Sequence, residues 1–226
     1  MAGCSRSGTT WLDRMLRRFQ GVHSAGEGGL GERVRELVSG RGREAGPFQL
    51  MPRRRARLMI DKTPSNAYDL EALAHVSNAR IVHMVRDPRA VVASMLDAAR
   101  HWARARAGFS ASDAAHLWVR AVDEVHRARR WWGDYLIELR FEDLRLDTET
   151  HLKRAANHLG LSPSRQELRR AAEAEALVRD SVPQGRFVRA GLIDGWRGEL
   201  SRPEIEVVEL AVGARLERYG YTRYGR

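Results

Sequence analysis

A chain of 226 residues suits one large domain, and its 43% hydrophobic residues, spread along the whole length, supply a sizeable core and exclude global disorder. No stretch approaches the ~18 or more apolar residues of a membrane span, and Arg6, Asp13 and Arg14 interrupt any signal-peptide core at the N-terminus. The single cysteine, Cys4, excludes an intrachain disulfide and points to a reducing, cytoplasmic setting, while the net charge of +10 fits either an arginine-biased solubilising surface or a polyanionic ligand.

In chain order, residues 1–10 read as a Gly/Ser/Thr loop, and Trp11, Leu12, Met15, Leu16 and Phe19 form the apolar face of a helix. Residues 21–31 are glycine-rich and loop-like, 32–38 a short helix, and 40–57 a basic exposed segment. Leu58 to Ile60 reads as a buried strand, residues 61–64 as a turn, 67–76 as a helix and 80–85 as a strand. Asp87-Pro88 supplies a cap and a first-turn proline for a helix over 89–102. A long helix over 111–131, a strand over 135–139 and helices over 148–159, 164–177 and 203–216 follow, with an irregular basic stretch over 182–195. Strands alternating with helices predict an α/β fold with a largely parallel sheet, organised as one domain over residues 1–226.

Two segments carry anion chemistry. Gly3-Cys-Ser-Arg-Ser-Gly8-Thr9-Thr10 before a helix has the spacing of a phosphate-binding loop, in which backbone N–H groups and a helix N-terminus face a phosphate. Thr9 stands where a nucleotide triphosphatase carries its lysine, which argues against ATP or GTP hydrolysis. Arg6 supplies a cation, and Ser5, Ser7, Thr9 and Thr10 supply hydroxyls; the bland reading is an ordinary turn before a helix. Further on, Arg86 ends an apolar strand, and Ser94 follows eight residues later, about two turns into a helix. An arginine fork with a serine hydroxyl suits a phosphate monoester at a strand end; the bland reading pairs Arg86 with Asp87 or another acid.

These segments together resemble the sulfotransferases that use 3′-phosphoadenosine 5′-phosphosulfate (PAPS). Cys4-Ser-Arg-Ser-Gly-Thr-Thr-Trp-Leu12 resembles that family's 5′-phosphosulfate loop, and Arg86-Asp-Pro-Arg-Ala-Val-Val-Ala-Ser94 its 3′-phosphate motif. Leu139-Arg-Phe-Glu-Asp-Leu144 resembles a strand-to-loop segment of the family. Arg189-Ala-Gly191 with Trp196 resembles the late segment that closes over the 3′-phosphate, and Leu216-Glu-Arg-Tyr-Gly-Tyr221 the usual ending. The resemblance implies a three-layer, P-loop NTPase-like α/β fold with a central, mostly parallel sheet flanked by helices. It implies PAPS as donor, bound through residues 5–10, Arg86, Ser94, Arg189 and Gly191, and no catalytic metal. The acceptor is a small molecule, carbohydrate, lipid or peptide; nucleic acid is not an expected partner. No His/Cys/Asp/Glu group has convincing metal-ligand spacing.

Only two lysines survive the arginine bias, Lys62 and Lys153. Lys62, just after a predicted strand, resembles the family lysine that contacts the bridging oxygen of the donor; the alternative is a surface lysine beside Asp61. The cytosolic branch carries its basic histidine two residues after that lysine, where this chain has Pro64. Ser24-Ala-Gly-Glu27 resembles instead a segment of the tyrosylprotein branch whose glutamate is the base, so Glu27 is the candidate base, with His23 and His75 behind it. Only Met1 and Ala2 precede Gly3, so the first core strand is expected to be truncated or to lie upstream. A P-loop kinase or triphosphatase and a basic nucleic-acid-binding protein remain the competing readings. The missing loop lysine counts against the first. Dispersed arginines without a recognition signature count against the second.

Overall fold

The fold is that of a computed structural model, which describes residues 1–40, 56–101, 108–180 and 192–225. Among the described residues five strands run in the order β1 (Ala2–Gly3), β2 (Val22–Ser24), β3 (Leu58–Ile60), β4 (Ile81–Val85) and β5 (Leu136–Arg140). β1, β4 and β5 pair side by side, and β2 pairs with β3; all these pairings are parallel. The Met1 nitrogen donates to the Asp61 carbonyl at 2.6 Å, one residue past β3, so the two sheets meet at β1. Ten helices among the described residues complete the chain: α1 (Thr9–Leu16), α2 (Leu30–Val38), α3 (Leu70–Leu73), α4 (Pro88–His101), α5 (Ala111–Trp132), α6 (Phe141–Leu146), α7 (Thr148–His158), α8 (Arg165–Asp180), α9 (Arg202–Val212) and α10 (Arg215–Arg218).

Alternation along β4 explains the layering. Ile81 and Val85 face a core built with α4, α5 and α9 around Trp118 and Trp196. Val82 and Met84 face a second core with α1, α7 and α8 around Leu12, Met15 and Leu152. A strand buried on both faces needs apolar residues at successive positions, and β4 is apolar at every position but His83, which is buried against Glu138. The expected α/β class and parallel sheet are therefore present, with helices on both faces.

The phosphate-type loop follows a two-residue strand, in which Ala2 and Gly3 pair with His83 and Met84. Three expectations change. Residues 22–24, expected in a loop, form β2. The helix expected over 67–76 becomes a 3-10 turn (Pro64–Tyr68) and the four-residue α3, because the Asn66 side chain is drawn into long-range bonds. The last helix divides at Gly213, whose positive φ of 59° ends α9 and opens the turn to α10. No described helix is long and apolar enough to cross a membrane.

Candidate active site

The first loop is shaped by its glycines. A Cβ on Gly3 would lie 2.5 Å from the Met84 carbonyl oxygen, so only glycine lets the strand approach β4 this closely. Arg6 and Gly8 both adopt left-handed backbone, at φ 72° and 93°, and the Ser7 N–H donates to the Cys4 carbonyl at 3.2 Å. The chain thereby turns straight into α1, whose N-cap is Gly8 and whose first turn no side chain caps. Orphan N–H groups at the positive end of a helix favour an anion. The Ser7 hydroxyl is fully buried in this loop and has no hydrogen-bond partner. A buried hydroxyl left unpaired costs free energy that a phosphate oxygen would recover. Ser5 is exposed, Thr10 half-buried and Thr9 buried. Burial pushes the Cys4 thiol up to about 12, so it is no nucleophile at neutral pH.

The second segment meets the first. Arg6 Nε donates to Ser94 Oγ at 2.9 Å, and Arg86 Nη1 donates to the Arg6 carbonyl at 3.2 Å. Arg86 and Ser94 thus stand at the loop, and the Arg6 side chain turns toward Ser94. Asp87 has a different role from the pairing considered for Arg86. Its carboxylate caps the Arg89 N–H at 2.8 Å and binds the Arg89 guanidinium through both oxygens. Arg89 is buried, also reaches Glu209 at 2.7 Å and stacks 4.1 Å from the Trp196 ring. Trp196, expected near the 3′-phosphate, is therefore a core residue packed behind the motif. Arg189 and Gly191 lie outside the described residues; Leu192, just beyond them, accepts from Arg86 Nη2 at 3.2 Å.

Sequence reasoning missed the residues that hold Arg86. Its guanidinium lies 4.4 Å from the Phe141 ring centre, and Phe141 also meets Trp11 edge-on at 5.7 Å. A Cβ on Gly8 would lie 2.5 Å from Phe141 Cδ2, so the loop packs directly on that ring. Trp118 Nε1 donates to the Arg86 carbonyl at 3.0 Å, and Glu142 accepts the Asp87 N–H at 2.9 Å. Burial raises the Glu142 carboxyl above its usual range, although that N–H and the Tyr221 hydroxyl partly offset the effect. The only signal for these roles was the Phe-Glu-Asp run, which forms the first turn of α6. Trp118→Phe removes the indole N–H that satisfies the Arg86 carbonyl and puts a smaller ring in a fully buried slot; urea denaturation is expected to show a loss of about 1–3 kcal/mol.

On the other side of β1, Lys62 Nζ donates to Glu27 Oε1 at 2.7 Å. The two side chains differ in access: Lys62 is 10% exposed and Glu27 57%. Lys62 is thus a buried cation behind an open carboxylate, and the surface-lysine alternative falls. His23 lies on β2 and is half-buried, whereas His75 is exposed in the turn after α3. No group of three or more His, Cys, Asp or Glu suited to a metal ion occurs among the described residues.

A model of the sulfotransferase family matches residues 48–165, just over half of the chain, and the protein belongs to that family. The match takes in Lys62, Arg86 and Ser94 and begins after the first loop. In fold the chain is similar to the mouse sulfotransferase SULT7A1, crystallised with PAP, at a TM-score of 0.65 and 13% identity over 96% of this chain and 83% of that one. It is similar also to retinol dehydratase in complex with androsterone and inactive cofactor PAP, at a TM-score of 0.53 and 19% identity, covering 86% of this chain. This chain spans 63% of retinol dehydratase. No curated protein sequence matches it.

Proposed function

We propose that the protein moves a sulfuryl group from PAPS to a hydroxyl or amine of a small-molecule, carbohydrate, lipid or peptide acceptor. The observation that carries this reading is the convergence of Arg6, Arg86 and Ser94 at a loop whose buried Ser7 hydroxyl is unpartnered. The chemistry of these residues fits a ligand with two phosphate ends. The N-terminus of α1, Ser7, Thr9 and Thr10 suit the 5′ end, and Arg86 and Ser94 suit the 3′ end. The Arg6 side chain, bonded to Ser94, stands at the 3′ side, while its backbone belongs to the loop. The buried Cys4 thiol is consistent with a cytoplasmic setting.

PAPS supplies an activated sulfuryl group when bound. Glu27 takes the proton of the acceptor hydroxyl or amine, for which its open carboxylate is suited. Lys62 neutralises negative charge that grows on the departing phosphate oxygen. Its 2.7 Å contact with Glu27 orients that carboxylate before the acceptor arrives.

Glu27→Gln tests the base assignment. The variant is expected to turn over slowly with weakly acidic phenols and to approach the parent as phenol pKa falls, because an ionised acceptor needs no base. Turnover of labelled PAPS across a phenol series reads this; a deficit constant across the series contradicts the assignment.

A further inference from the structure

We infer that Asp61 is a positioning residue that fastens the Glu27 loop to the segment carrying Lys62; this deepens the sulfotransferase reading and rests on it. Helix α2 begins without a cap of its own. Its N-cap is Gly29, in left-handed backbone at φ 66°, and no local side chain reaches its first turn. Three successive N–H groups there are taken by three side chains from one distant segment. Gly29 donates to Thr63 Oγ1 at 2.9 Å, Leu30 to Asp61 Oδ2 at 3.3 Å and Gly31 to Asn66 Oδ1 at 3.0 Å.

Asp61 organises the other two. Its Oδ1 accepts the Thr63 N–H at 3.1 Å and Asn66 Nδ2 at 2.7 Å. The second bond fixes the Asn66 amide with its oxygen toward Gly31. Asp61, Thr63 and Asn66 are all buried, so none of these partners is readily replaced by water. The negative carboxylate also meets the positive end of α2.

The loop is tied on its other side as well. Ala25 N–H donates to the Ile60 carbonyl and Lys62 N–H to the Gly26 carbonyl, both at 2.8 Å, extending the β2–β3 ladder. Glu27 and Gly28 therefore bridge two anchored points. Gly28 lies directly on the clamp, since a Cβ there would approach Asp61 Oδ2 to 2.6 Å. Asp61 and Thr63 flank Lys62 in sequence, so the residues on either side of the cation hold the loop of its partner carboxylate. This arrangement sets the 2.7 Å Lys62–Glu27 contact, while the Asp61 carboxylate oxygens are occupied by Leu30, Thr63 and Asn66.

Asp61→Asn leaves one side-chain oxygen where three donors now converge. Hydrogen exchange of the Gly29, Leu30 and Gly31 amides is expected to quicken, with PAP affinity by calorimetry unchanged. Turnover is expected to fall about tenfold with the KM for PAPS unchanged. Because Asp61 acts through Glu27, the same substitution in a Glu27→Gln background is expected to cost little further turnover. Thr63→Val, which removes only the bond to Gly29, supplies a milder variant if Asp61→Asn does not fold, and is expected to show the same exchange change at Gly29. Unchanged exchange, or turnover losses that multiply in the double variant, would overturn the inference. Failure of the parent protein to bind PAP would instead overturn the sulfotransferase reading, leaving the exchange result to judge the clamp alone.

Discussion

Arg86→Ala is expected to weaken PAP binding by about tenfold or more, because a charge-assisted hydrogen bond contributes roughly 1.5–3 kcal/mol. Binding of adenosine 5′-phosphosulfate, which lacks the 3′-phosphate, should suffer much less. Some loss with both nucleotides is expected, since Arg86 also supports the Arg6 carbonyl and packs on Phe141. Ser94→Ala should follow the same pattern with a smaller loss, because its hydroxyl is a neutral donor. Titration calorimetry with both nucleotides separates the ends of the ligand. Equal losses for the two would contradict the placement of Arg86 and Ser94 at the 3′ end.

Lys62→Ala is expected to reduce turnover on the order of 10²-fold, the scale on which loss of one preorganised group facing transition-state charge is felt. The charge on the departing oxygen is larger in the transition state than in the bound donor, so the loss should appear in kcat more than in PAP affinity. Burial sharpens the effect, as a cation held away from water interacts more strongly with a neighbouring charge. Lys62→Arg should restore turnover only in part, because a broad guanidinium cannot occupy the point of an ammonium in a buried slot beside Glu27. Steady-state kinetics with paired PAP titrations read this. A variant whose PAP affinity and kcat fall equally would assign Lys62 to donor binding alone.

Those two effects depend on contacts that differ in how far the sequence announces them. Helix α5 and strands β4 and β5 were legible because a 3.6-residue period or a short, largely apolar run survives along them, bounded by Ser110, Asp87 and Gly133. Strand β2 was not, because three residues in a glycine-rich stretch carry no period. The segment read as a helix over 67–76 is instead a 3-10 turn and a four-residue helix, and local pattern cannot show that Asn66 is committed to Gly31 and Asp61. Within the site, Gly3 to Thr10 and Arg86 to Ser94 stood out by composition and spacing. Their meeting is a bond between residues 88 positions apart, which no local signal encodes. Asp87 was read as the cap of this helix and does cap the Arg89 N–H; its grip on the Arg89 guanidinium was not legible, because sequence does not convey which neighbour the carboxylate faces. Phe141 stood in the Leu139 to Leu144 segment that drew notice, but its role did not show, because a single aromatic residue reads as core until the loop is seen to pack on it.

The central claim is that this loop and this arginine bind a nucleotide with phosphates at both its 5′ and 3′ ends. Calorimetric titration of the intact protein with PAP, in the presence of a chelator, tests it most directly. The expected result is saturable one-to-one binding, much tighter than to adenosine 5′-phosphate and indifferent to magnesium. Absence of PAP binding, together with magnesium-dependent binding of ATP, would contradict it.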